Sequence, residues 1–281
     1  MRVDEHTIYL DESPVFFRTA DAAPAAPAGP GTPMPGPGTP TLYLHGIPTS
    51  SDDWIEFLER AGGIAPDLIG FGRSGKGGHL DYTLAGLTQF LERLLAEIHV
   101  QTVKVVAHDW GAAVGLALAG RHPERVERLV LMNAPPILDG FEWPRLVRWW
   151  RTPLIGEGLM GSTTRGMLER VLRRGSVREN AWPDARIAAV WDQFDQGTQR
   201  AILRLVRDRD AGSHLMTLQP PADTPTLIIW GERDPWYSPP VADAYAARLP
   251  GATLERLPDA GHWPWLDRAD LVDRVAAFLE K

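Results

Sequence analysis

Asp109, Asp234 and His262 are the residues of this sequence whose types could together carry out nucleophilic hydrolysis. A carboxylate is ionised at neutral pH, so it needs no base to attack, and its attack on a saturated carbon leaves an alkyl ester bonded to the protein. That ester must then be cleaved by water, and an imidazole oriented by a second carboxylate is suited to take the water's proton. Taken singly, each residue has a plainer use. Asp109 could be a helix N-cap, Asp234 a turn cap and His262 an exposed loop residue. The readings separate on whether the surrounding elements deliver all three side chains to one place.

Asp109 stands where a β-branched run (Val103, Val105, Val106) stops and a small-residue helical pattern (Ala112, Ala113, Gly115, Ala117, Ala119) begins. This is strand, sharp turn, helix, with Ala107 and Gly111 two places before and after the apex so that the backbone can pass close to itself. Asp234 follows the apolar run Thr226 to Trp230, and His262 follows the run Thr253 to Leu257. Two further strands are predicted, Thr41 to Leu44 leading into His45-Gly46-Ile47-Pro48, and Val126 to Met132. Leu84, Leu87, Phe90, Leu91, Leu94, Leu95 and Ile98 have helical spacing. Alternating strands and helices predict an α/β fold with a mostly parallel sheet covered by helices on both faces.

The N-terminus reads as an edge hairpin, Thr7 to Leu10 and Val15 to Arg18, turning over residues 11–14. Residues 20–40 are almost only Ala, Pro, Gly and Thr and read as an extended, flexible loop. Between 137 and 219 no strand is apparent, but helical patterns occur at 143–150, 163–173, 184–194 and 198–206. The expected organisation is therefore a core of 1–136 and 220–281 with a helical insertion at 137–219. Gly70-Phe71-Gly72-Arg73-Ser74-Gly75-Lys76 satisfies G-x-G-x-x-G and nearly a Walker A pattern, but Gly77 replaces the Ser or Thr that would bind magnesium and no helix follows. Nucleotide binding is not expected.

The net charge of -7 offers no basic field for nucleic acid or anionic lipid. The absence of cysteine excludes disulfides, thiolate metal sites and cysteine nucleophiles. With no apolar run of signal-peptide or membrane-spanning type, the chain reads as a soluble cytoplasmic protein. The 11 Trp suit a cavity lined with rings.

Four motifs resemble those of the α/β-hydrolase family, in the branch whose nucleophile is aspartate, the haloalkane dehalogenases and epoxide hydrolases. They are His108-Asp109-Trp110-Gly111, His45-Gly46-Ile47-Pro48, the D-x-x-G-x-G-x-S turn from Asp67 to Ser74, and the chain order Asp109, Asp234, His262. The resemblance implies a nucleophile, acid and histidine in that order, an oxyanion hole made by the backbone N–H groups of Ile47 and Trp110, and a helical cap over the site. It calls for no metal or organic cofactor, with a small apolar substrate and water as reactants, and leaves the oligomeric state open. Asn133 after the sixth strand suggests that the acid is Asp234.

In the dehalogenases the Trp after the nucleophile, here Trp110, helps hold the halide. A second donor usually comes from the H-G-x-P turn or a cap Trp. Ile47 has no side-chain donor, which leaves Trp143, Trp149, Trp150, Trp182 or Trp191, or no second donor, with Trp143 and Trp150 as the candidates taken beside Trp110. Epoxide hydrolases protonate the leaving alkoxide with cap tyrosines. None of Tyr9, Tyr43, Tyr82, Tyr237 and Tyr245 falls in the expected cap, and Val206 stands where a related helix might carry one. Fluoroacetate dehalogenases resemble H-D-R-G, not the H-D-W-G found here. The expected activity is cleavage of a carbon–halogen bond, with epoxide hydrolysis as the alternative. A non-catalytic small-molecule binding protein on the same scaffold is disfavoured because all three catalytic positions are retained.

Overall fold

The runs of Val, Ile and Leu become the middle of one eight-stranded sheet in the computed structural model, which describes residues 1–20, 38–138, 140–217 and 223–281. The strands are β1 (Asp4–Leu10), β2 (Ser13–Ala20), β3 (Thr41–Leu44), β4 (Gly63–Pro66), β5 (Val103–His108), β6 (Val126–Met132), β7 (Thr226–Gly231) and β8 (Thr253–Leu257). Their order in the sheet is β1-β2-β4-β3-β5-β6-β7-β8. β2 is antiparallel to both neighbours, and the five pairings from β4 to β8 are parallel. β3 and β7 are buried along their whole length, as strands covered on both faces must be, and this is why they read as continuous apolar runs.

The first hairpin is longer, and its turn tighter, than the sequence suggests. Asp11 and Glu12 alone make the turn, at φ of 46° and 63°, the positive values that two-residue hairpin turns demand. Pro14 therefore belongs to β2, opposite Tyr9, near the start of the strand where a missing N–H is tolerated. Of the segment expected as a loop over 20–40, Ala20 closes β2, and residues 21–37 lie outside the described residues.

Among the described residues, three α-helices precede the sixth strand: α1 (Ile55–Ala61), α2 (Leu84–Glu97) and α3 (Trp110–Arg121). Thr83 caps α2 by accepting the Gly86 N–H at 3.1 Å. Between β6 and β7 lie α4 (Arg145–Arg151), α5 (Ile155–Gly161), α6 (Arg165–Arg174), α7 (Asp184–Gln193), α8 (Gln196–Val206) and α9 (Ala211–Thr217). α10 (Pro239–Arg248), α11 (Pro264–Asp267) and α12 (Asp270–Leu279) complete the chain. Among the described residues no helix is long and apolar enough to cross a membrane.

The glycine-rich run after β4 closes on a carboxylate of its own. Buried Asp67 accepts the Ser51 N–H through Oδ1 and the Arg73 N–H through Oδ2, each at 2.7 Å. A Cβ on Gly72 would lie 2.1 Å from Asp67 Oδ2, so the glycine is needed for this closure and not for a phosphate.

The turn between β5 and α3 owes its shape to Gly111. A Cβ there would lie 2.4 Å from the Leu44 carbonyl oxygen and 2.5 Å from that of His45, both main-chain atoms that cannot swing away. Ala normally favours a helix over Gly by about 1 kcal/mol. Here Gly111→Ala should instead destabilise by about 3 kcal/mol, lowering the midpoint of thermal unfolding by roughly 5–10 °C at this chain size. An unchanged or higher midpoint would show that the close approach is not needed.

Candidate active site

Asp109 lies at the end of β5 with φ 50° and ψ -125°, a backbone conformation that costs a non-glycine residue on the order of 1–3 kcal/mol. Its side chain makes no capping bond to α3, which disposes of the N-cap reading. The carboxylate is fully buried and held by groups from other elements. Oδ2 accepts the Ile47 N–H at 2.9 Å, and Oδ1 accepts the Tyr237 hydroxyl at 2.6 Å. The Trp110 N–H stabilises the same carboxylate. Burial raises the Asp109 pKa above the usual carboxylate range, opposed by His262 and these donors.

The turn that presents the Ile47 N–H is fixed by His45. Its Nε2 accepts the Leu68 N–H at 3.0 Å, so Nδ1 carries the proton and donates to the Gly46 carbonyl at 2.8 Å. A Cβ on Gly46 would lie 2.4 Å from Asp109 Cβ, so no other residue lets the turn approach the carboxylate this closely.

Asp234 and His262 arrive from the loops after β7 and β8. Four donors surround the Asp234 carboxylate. Oδ2 accepts His262 Nδ1–H at 2.6 Å and Asn133 Nδ2–H at 2.8 Å, while Oδ1 accepts the backbone N–H groups of Trp236 and Tyr237 at 2.8 and 3.0 Å. The imidazole is thereby held with Nε2 free to accept a proton. Burial pushes the His262 pKa down, but Asp234, Asp109 and Asp53 together outweigh it and leave the pKa raised. Asp53 is itself buried, with Oδ2 unpartnered, and burial pushes it up to about 7.

Rings pack around the histidine on several sides. Trp236 and Trp263 stand edge-on to it with centroids 4.8 and 4.7 Å away, and Tyr237 lies at 5.1 Å. His108, kept neutral by burial, donates Nε2–H to the His262 carbonyl at 2.8 Å and ties the β8 loop to the end of β5.

Asp109, His262 and Tyr237 open onto a cavity of about 140 Å³. Ile47, Pro48, Trp236 and Trp263 line it from the loops after β3, β7 and β8, and Leu146, Val147, Trp150, Met160, Leu168 and Phe194 from the helical segment between β6 and β7. Of the tryptophans expected at the leaving group, only Trp150 lines the cavity. Trp110 and Trp143 stack on each other instead, centroids 5.9 Å apart and planes within 12°, and are not part of the lining. Sequence reasoning missed Tyr237, Trp236 and Trp263. Their position beside the predicted acid and histidine was the available signal.

A family model described as alpha/beta hydrolase fold matches residues 39–269. The haloalkane dehalogenase of Bradyrhizobium diazoefficiens is 32% identical, over 84% of this chain and 85% of that protein. A cis-3-alkyl-4-alkyloxetan-2-one decarboxylase of Shewanella oneidensis is 29% identical, over 87% of this chain and 83% of its own length. Among solved structures, the haloalkane dehalogenase DbeA of Bradyrhizobium elkani superposes with a TM-score of 0.82 at 25% identity, covering 99% of this chain and 98% of that one. The chain belongs to the α/β-hydrolase family, and it is a hydrolase.

Proposed function

We propose that this hydrolase cleaves a carbon–halogen bond in a small apolar substrate through a covalent ester on Asp109. The observation that carries the reading is a carboxylate buried at an apolar cavity, with one oxygen on the Ile47 N–H and the Asp234-held imidazole of His262 at the same cavity. Asp109 Oδ1 attacks the carbon that bears the halogen and halide leaves. Water then attacks Asp109 Cγ, His262 takes its proton, and the N–H groups of Ile47 and Trp110 stabilise the oxyanion on Oδ2. The names of the dehalogenase relatives support the substrate class. An indole N–H donates without bringing an acceptor, which suits a halide, and Trp150, Trp236 and Trp263 are the indoles at the cavity.

Epoxide opening is the second reading, and Tyr237 favours it by supplying a hydroxyl at the cavity wall. Against it, that hydroxyl sits on the attacking oxygen. In a back-side displacement the departing oxygen lies on the far side of the attacked carbon.

The test is intact-protein mass spectrometry of His262→Gln exposed to haloalkanes and epoxides. A gain equal to the alkyl group supports halide displacement, and a gain equal to the whole epoxide supports ring opening. No adduct from any member of either panel would refute covalent catalysis by Asp109.

A further inference from the structure

The Tyr237 hydroxyl touches the oxygen that must become the product's hydroxyl group. In an ester formed through Asp109 Oδ1, water attacks Cγ and the bond that breaks is Cγ–Oδ1, so the departing alkoxide oxygen is Oδ1 itself. An alkoxide is a poor leaving group unless a proton reaches it as the bond breaks. His262 is engaged with the incoming water, and Oδ2 with the N–H of Ile47. The group already bonded to Oδ1 is Tyr237, at 2.6 Å and buried.

Building on the Asp109 ester proposed above, we infer that Tyr237 is a catalytic acid for the hydrolytic half-reaction, delivering its proton to Oδ1 as the alcohol departs. The loop that carries it is built for the task. Asp234 accepts the Tyr237 backbone N–H through Oδ1 and orients His262 through Oδ2, so one carboxylate sets both proton carriers. Carboxylate oxygens have two lone-pair directions each, so the hydroxyl occupies one on Oδ1 and leaves the other for attack on substrate. Burial keeps the phenol protonated until that moment, and before alkylation the Asp109 carboxylate adds to it.

The protons balance. The water oxygen bonds to Cγ and one of its protons passes to His262. The Cγ–Oδ1 bond then breaks with its electron pair on Oδ1, which takes the Tyr237 proton and leaves as the alcohol. Asp109 is regenerated as a carboxylic acid, whose proton returns to the tyrosinate, and His262 releases the water's proton to solvent. Nothing beyond substrate and water is consumed.

Tyr237→Phe tests this in an otherwise intact enzyme, because it deletes one oxygen and leaves the ring in place. With a haloalkane the variant should release one equivalent of halide in a burst no slower than wild type. It should then accumulate the alkyl-enzyme by intact mass and hydrolyse it on the order of a hundredfold more slowly. The defect should shrink for substrates giving more acidic alcohols, such as β-fluorinated ones, since a better leaving group needs less help. Equal slowing of both steps with no accumulated ester, or a defect independent of alcohol acidity, would overturn the role. If His262→Gln forms no adduct with any substrate, the Asp109 ester itself falls. If that adduct forms but Tyr237→Phe behaves as wild type, only the role of Tyr237 falls.

Discussion

Asp109→Asn should keep the fold and lose at least about 10⁴-fold in turnover, the scale seen when a covalent nucleophile is removed. An amide oxygen does not displace a leaving group from saturated carbon. The geometry favours retention of structure. The amide oxygen can take the Ile47 N–H, the amide nitrogen can donate to the Tyr237 hydroxyl oxygen, and Asn tolerates positive φ better than most residues. Stability should move the other way from activity. Burial raises the Asp109 pKa in the folded state, so the stability this group contributes is complete below its unfolded pKa and lost as pH rises through the folded value. Asparagine has no charge to bury. Its melting midpoint should therefore equal or exceed that of wild type at pH 8, with the gap closing toward pH 4. Product release per enzyme and thermal melts at both pH values measure the two effects. Turnover above a few per cent of wild type would remove Asp109 from the nucleophile's role.

The parts of the site that could be read from the sequence are those whose local pattern and function coincide. A β-branched run ending at a carboxylate flanked by Ala107 and Gly111 marks a tight elbow, because the packing of Gly111 on the carbonyls of Leu44 and His45 permits nothing larger. Asp234 and His262 likewise follow strands recognisable from their apolar runs. Tyr237 gave only a weak signal, its place three residues after the predicted acid, and its role stayed hidden for the opposite reason. It sits in the irregular Asp234-Pro235-Trp236-Tyr237 turn, where no periodicity says which way a ring points, and its contact with Asp109 spans 128 residues. Helix α5 was also missed, because Ile155–Gly161 carries three glycines that mask a helical pattern. Trp110 and Trp143 show a further limit: the resemblance to dehalogenases implied these indoles at the leaving group, but only packing decided that the two face each other.

Asp234→Asn is the more searching change, because it keeps the shape of the side chain and turns one of its two accepting oxygens into a donor. The native carboxylate accepts four hydrogen bonds, two on each oxygen. An amide has one accepting oxygen. If that oxygen stays on the N–H groups of Trp236 and Tyr237, the NH₂ meets the Asn133 amide, which loses its acceptor there, and His262 Nδ1, which must then accept while the ring's proton moves to Nε2. A histidine in that tautomer cannot take a proton from water at Nε2. The hydrolytic step should fall by about 10⁴-fold, while alkylation of Asp109, which needs no base, should proceed, so halide appears once per enzyme and the ester persists. The pH profile carries independent information. In the native enzyme, Asp234 is the foremost of the charges that outweigh burial and hold the His262 pKa up, so the activity limb attributed to neutral His262 should rise through a raised pKa. Without the Asp234 charge, the opposition to burial is weakened, and the residual activity should reach its plateau at lower pH. A variant that loses activity with an unshifted limb would mean that Asp234 positions the ring without setting its charge. A variant that hydrolyses the ester at the native rate would mean that His262 draws its basicity from elsewhere.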